Sequence, residues 1–164
     1  MLYYCGKALY KFECEVIGRK VDRIPIIILG LPQNTRVIQR RDFVRVPVID
    51  KIKLYKIDKA FENKDIEDLV KLENVAIDSL TLDISGGGMR IKCKFELSYN
   101  DILMVSLPLL TENFMVKAKV VRIENKEDNT NIYGLCFFDL NEKLRDKIIK
   151  CIFQIMREQR KKGD

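Results

Sequence analysis

The sequence contains no histidine. That absence removes the commonest general base, the Ser-His-Asp and Cys-His arrangements, and histidine-ligated zinc. Carboxylate, lysine and tyrosine chemistry remain, but no carboxylate pair is marked out for them. The five cysteines, Cys5, Cys14, Cys93, Cys136 and Cys151, are odd in number and widely spaced, with no C-x-x-C. This pattern argues against a disulfide framework or a zinc site and for reduced, mostly buried thiols. Long apolar runs are also missing. The longest, "IPIIILGLP" at 24–32, suits a buried strand and is too short to span a bilayer. No charged n-region followed by a cleavage site marks a secretory signal. Internal repeats and low-complexity segments are absent too.

What is present describes a globular chain of 164 residues, 47% hydrophobic and 33% charged. Such a length buries one core, with room for a small neighbour. The net charge of +6 and pI near 9.0 favour an anionic partner. That signal is weak by itself, because 24 acidic residues are interspersed.

Periodicity sets the organisation. Residues 8–18 alternate and read as a strand, "RKVD" at 19–22 as a polar turn, and 24–29 as a more buried strand. "GLPQNT" at 30–35 carries linker residues, which places a boundary near 31–40. Strand-like runs follow at 44–57, 75–85, 89–95, 101–109, 114–124 and 132–140. Asp78 and Ser79 suggest a bend, 86–88 a glycine turn and 125–131 a hairpin turn. The charged stretch 58–74 is a mobile loop or a short helix with Ile66, Leu69, Val70 and Leu72 on one face. The strand spacing, about 8–12 residues, fits a small antiparallel barrel or sandwich. The chain ends in a helix at 141–162, with Asn141 as N-cap and an apolar stripe of Leu144, Ile148, Ile152, Ile155 and Met156.

Two stretches carry chemistry. "VIQRRDFVRVPV" at 37–48 sets Arg40, Arg41 and Arg45 close together, with Asp42 as the one acid among them. Alone, such a cluster is a solvated face. "LDISGGG" at 82–88 places Asp83 and Ser85 two apart on a strand, then exposes backbone N–H groups at Gly86, Gly87 and Gly88. Alone, it is a glycine hairpin capped by a Ser or Asx turn.

Together the two stretches form an RxxxR at 41–45 and a DxSxxG at 83–88, in that order, before a run of strands and a final helix. This closely resembles the PilZ domain family. The likeness spans about residues 37–160 and includes "RRDFVRV", "LDISGGGMRI" and "IYGLCFFDL". The upstream segment looks like the end of the N-terminal domain of the flagellar brake (YcgR-like) branch. The charged insert at 58–74 departs from a minimal barrel of this family.

The resemblance implies a mainly β fold. A six-stranded antiparallel barrel with a C-terminal helix follows a few strands of a partial N-terminal domain. It divides the chain into 1–35 and 36–164, with an arginine linker at 36–45, a barrel at 46–140 and a helix at 141–162. It implies cyclic di-GMP as a ligand, no cofactor, no metal and no catalysis. Arg40, Arg41, Arg45, Asp83, Ser85, Gly87 and Gly88 are the implied ligand-binding residues, and Arg40 is suited to hold a second stacked ligand. The implied partner is a flagellar stator or rotor protein, with no nucleic acid and no membrane insertion. The implied location is the cytoplasm, at the flagellar basal body. Residues 31–44 are expected to be mobile without ligand and ordered by it. Two readings compete: a PilZ-like adaptor that no longer binds ligand, and a nucleic-acid-binding barrel. The second wants aromatics interleaved with basic residues, and Phe43 is the only aromatic in the arginine cluster.

Overall fold

A computed structural model describes residues 1–5, 8–71, 75–125 and 130–163. The chain divides into two compact units, Met1–Asp42 and Phe43–Asp164.

In the first unit, strands β1 (Leu2–Cys5), β2 (Ala8–Glu13) and β5 (Gln33–Ile38) form a sheet in the order β1-β2-β5. Strands β3 (Val16–Val21) and β4 (Pro25–Leu29) form a separate two-stranded sheet. Four expectations change here. The run 8–18 is two strands, broken at residues 14–15. "RKV" lies within β3, so the turn falls at 22–24. β4 is exposed along nearly its whole length, because a two-stranded sheet offers its isoleucines no covering layer. Finally, "QNTRVI" is strand and not linker, since Leu9, Tyr10 and Lys11 pair with Ile38, Val37 and Arg36. The turn residues serve an irregularity in that strand. Asn34 takes a left-handed φ of 51°, and its side chain donates to Glu13 Oε2 at 2.9 Å. Residues 33–38 are therefore tied into a sheet, and the irregular segment is the shorter 39–45.

The second unit is a closed antiparallel barrel of six strands in the order β10-β11-β8-β7-β6-β9. These are β6 (Val46–Ile57), β7 (Ala76–Ser85), β8 (Gly88–Cys93), β9 (Ile102–Leu109), β10 (Glu112–Asn125) and β11 (Asn131–Phe138). Alternation drives it. Leu54, Ile77, Ile91, Leu103, Val105, Val116, Ala118 and Tyr133 turn inward into one core. Closure leaves no edge strand in the barrel. The hairpin turn expected at 125–131 falls mostly on 126–129, outside the described residues. No bend occurs at Asp78 and Ser79. The irregularity in β7 lies between Thr81 and Asp83, beside the DxSxxG stretch.

The first half of β9 is buried on both faces, which explains its apolar run "ILMV". Leu103, Val105, Leu107 and Leu109 belong to the main core. Ile102 and Met104 face a second cluster built with Ile57 and Leu69. The charged insert supplies that cover through a 3-10 turn (Lys59–Phe61) and helix α1 (Ile66–Val70). Leu69 is buried, while Val70 is exposed and Leu72 lies outside the described residues. The insert is thus docked. Glu62 bonds Lys119 at 2.9 Å, and its carbonyl accepts from the buried Lys117 at 3.2 Å. Lys117 also pairs with Asp139 at 2.6 Å.

Helix α2 (Glu142–Gly163) closes the chain. Asn141 Oδ1 accepts from the Leu144 amide at 2.8 Å, the expected N-cap. Ile148 and Ile152 are buried in the main core, and Leu144, Ile155 and Met156 pack against it. Among the described residues no helix is long and apolar enough to cross a membrane. No group of three or more Cys, Asp or Glu side chains there could hold a metal ion.

Candidate functional site

β7 ends at Ser85 and β8 begins at Gly88, so Gly86 and Gly87 make a two-residue turn. Ser85 and Gly88 face each other across it. The Ser85 hydroxyl donates to the Gly88 carbonyl at 3.1 Å, which caps the turn. The Gly87 carbonyl accepts from the Phe137 amide at 2.9 Å and stitches the turn to β11.

None of the three glycines has a left-handed φ, so the space around each is what bears on a side chain there. A Cβ on Gly88 would lie 2.1 Å from the Leu135 carbonyl oxygen of β11. Gly88 is buried, so barrel closure is sufficient reason for glycine there. A Cβ on Gly86 would lie 2.7 Å from Phe43 Cδ1 and 2.8 Å from Ile149 Cγ1. On Gly87 it would meet Phe43 Cδ2 at 3.0 Å.

Asp83 stands just before the turn, next to the irregularity in β7. A bulge at such a place re-aims side chains. Arg90 is its partner across the β7–β8 ladder, and Arg90 Nε donates to Asp83 Oδ2 at 2.5 Å. Asp83 is 13% exposed and Arg90 41%. A carboxylate offers about four acceptor positions, so one arginine leaves Asp83 with capacity for further donors.

The arginines divide between the units: Arg40 and Arg41 fall in the first, Arg45 in the second. All three are exposed, and among the described residues none forms an ion pair. The Gln39 side chain donates to the Arg41 carbonyl at 2.8 Å. Arg45 immediately precedes Val46, which pairs with Ile84, while Pro47 pairs with Asp83. The barrel therefore gathers Arg45, Asp83, Ser85 and the glycine turn at one end of the β6–β7–β8 ladder. This is a corner with an unanswered guanidinium, a partly occupied carboxylate and closely packed backbone.

The sequence profile of the PilZ domain matches residues 39–154, which includes both motifs and most of the barrel. The chain belongs to the PilZ family. Solved structures of PilZ proteins share its fold. The structure of the inhibitor of motility MotI/DgrA from Bacillus subtilis superposes with a TM-score of 0.67 at 20% identity, over 93% of this chain and 70% of that one. YcgR from Escherichia coli in complex with c-di-GMP gives 0.60 at 17%, over 99% of this chain and 67% of that one. The PilZ domain of YcgR with c-di-GMP gives 0.59 at 18%, over 77% and 98% respectively. A comparison with curated proteins finds no match.

Two residues of this PilZ corner escaped the sequence reading. Arg90 lies in the alternating stretch "MRIKCKF" and looks like an ordinary outward-facing strand residue. Only the β7–β8 register makes it the partner of Asp83. Phe43 stood out only as the single aromatic of the arginine cluster. Its contact with the glycine turn is a tertiary fact that no spacing reveals.

Proposed function

We propose that this PilZ protein is a cyclic di-GMP receptor that regulates motility and catalyses nothing. The family takes this dinucleotide as a ligand, not a cofactor. The observation that supports the reading most is the pairing of Val46 with Ile84 and of Pro47 with Asp83. It joins the end of RxxxR to DxSxxG at one corner of the barrel.

The ligand's chemistry answers the arginines. Cyclic di-GMP carries two phosphates and two guanines. In this reading Arg41 and Arg45 take phosphate oxygens or guanine O6 and N7 in bidentate fashion, and a guanidinium stacks on a purine face. Lysine offers neither the fork nor the plane. Asp83, oriented by Arg90, accepts from guanine N1–H and N2–H. Ser85 turns its hydroxyl from the Gly88 carbonyl to a phosphate, and the Gly87–Gly88 backbone borders the ligand. Arg40 adds a contact and suits a second stacked ligand molecule.

Residues 39–45 carry repelling charges that the phosphates cancel, so binding orders this linker. In this reading the division expected between residues 35 and 36, which would cut β5 (Gln33–Ile38), is moved to the end of that strand, so that residues 1–38 are the end of a YcgR-like N-terminal domain and the PilZ domain follows. In this reading the partner is a flagellar stator or rotor protein and the location is the cytoplasm at the basal body; the likeness to a protein named inhibitor of motility supports the link to motility alone.

Isothermal titration tests the reading. Cyclic di-GMP is expected to bind at micromolar affinity or tighter, with GTP and linear diguanylate much weaker. Absence of binding at high protein concentration overturns it. The second reading, an adaptor that has lost its ligand, draws on Asp83 and Ser85 being already engaged by Arg90 and Gly88. The same titration decides between the two.

A further inference from the structure

The contact of Phe43 with the glycine turn is assigned no role by the receptor reading. Its ring lies over Gly86 and Gly87, with Cδ1 2.7 Å from where a Gly86 Cβ would stand and Cδ2 3.0 Å from a Gly87 Cβ. Ile149 of α2 closes the same space, with its Cγ1 at 2.8 Å from the Gly86 position. A methyl at Gly86 would collide with both side chains. The two turn glycines are therefore a seat cut to the ring, with α2 as its second wall.

Phe43 is also the central residue of RxxxR. Arg41 and Arg45 are each two residues away, so each Cα lies within about 7 Å of the Phe43 Cα. An anchor at this point limits how far either arginine can stray from the turn. Residues 39–45 otherwise hold no strand or helix, and the arginines have no ion pair among the described residues. Without the anchor, binding must order the whole linker, and every residue ordered weakens apparent affinity.

We propose that Phe43 is the positioning residue of the ligand site. Seated on Gly86–Gly87 and Ile149, it holds Arg45 beside DxSxxG before the ligand arrives and fixes the point of the chain from which Arg41 reaches the ligand. This rests on the receptor reading. Phe43 makes no ligand contact; it acts through the arginines. The seat also gives a physical reason for glycine at the two positions between Ser85 and Gly88.

The test compares the full chain with Phe43→Ala, Gly86→Ala and the double variant. Cyclic di-GMP affinity is read by isothermal titration, and exchange of amides 39–45 by mass spectrometry. Phe43→Ala is expected to weaken binding about tenfold, through a less favourable entropy, and to speed exchange of 39–45 in the free protein. Gly86→Ala, which displaces the ring, is expected to do the same. The double variant should then lose much less than the product of the two, because both changes remove one contact. Ile149→Ala, which loosens the seat from the helix side, should give a smaller loss and serves if Gly86→Ala does not fold. Unchanged affinity in a folded Phe43→Ala variant overturns the proposal. So does strict multiplicativity of the two single effects. If the wild type itself fails to bind, the receptor reading falls. Fast exchange of 39–45 in the wild type, unaltered in Phe43→Ala, then sinks the anchor separately.

Discussion

At the scale of single residues, three kinds of side chain behave differently. Arg41 and Arg45 are exposed and unpaired among the described residues, so truncating them should leave the fold alone. A good bidentate contact is worth roughly 1–3 kcal/mol, about 5- to 150-fold in affinity. Arg41→Ala and Arg45→Ala are expected to weaken cyclic di-GMP binding within that range with the melting temperature of the free protein nearly unchanged. An unaltered dissociation constant in both would return the cluster to a solvated face. Gly88 is the opposite case. A Cβ 2.1 Å from the Leu135 carbonyl demands backbone movement in a closed barrel. Gly88→Ala should cost at or above the upper end of the roughly 1–3 kcal/mol typical of overpacking. Thermal melting should show a drop of about 10 °C. The thiols separate by burial. Burial pushes the Cys93 and Cys151 thiols up from their ordinary value, Cys151 with help from the nearby Glu112 charge. Raised thiols hold less thiolate near neutral pH, so both should resist alkylation in the folded protein. Cys136 is exposed and should label ahead of Cys14, Cys93 and Cys151. Rapid labelling of Cys93 would contradict the closed barrel.

At the scale of elements, the insert and the final helix both act as covers. The insert reads as a hydrophilic excursion, yet it buries Leu69 against Ile102 and Met104 on the outside of β9. Leu69→Ala should therefore cost about 2–5 kcal/mol, as for a core residue and not a loop residue. Denaturant melts with an unaltered slope would show it. A loss below 0.5 kcal/mol, within the roughly ±0.5 kcal/mol of ordinary surface changes, would mean that the insert is undocked in solution. Helix α2 contributes Ile148 and Ile152 to the main core and Ile149 to the Phe43 seat. Its cap is local, and Asn141→Ala should cost only about 1 kcal/mol.

At the scale of the whole molecule, the proposed switch rests on the segment between β5 and β6. β5 is hydrogen-bonded to β2 up to Ile38, and β6 begins at Val46. In the receptor proposal, residues 39–45 are the segment that responds to the ligand. Amides 33–38 that donate within the sheet should exchange slowly with or without cyclic di-GMP. Amides 39–45 should slow when it is added, and those of β9 and β10 should change little. Slow exchange throughout 39–45 without ligand, with no further change at saturation, would send the signal by another route.

The sequence by itself determined the strand count of the barrel, the final helix with its cap and stripe, and the two paired motifs. Each is a short-range signal: alternation at period two, a stripe at 3.6, and residue types at fixed spacing. Pattern failed wherever burial depends on what lies opposite. The isoleucines of β4 read as core but are exposed, because their sheet has only two strands. "QNTRVI" carries turn residues but forms strand, because β2 offers it a ladder. The Asp83–Arg90 pair, the carbonyl that excludes a side chain at Gly88 and the seat beneath Phe43 were decided only by the tertiary structure. The physical reason is the same in each case. Register and barrel closure bring together residues far apart in the chain, and no local period encodes which strand will face which.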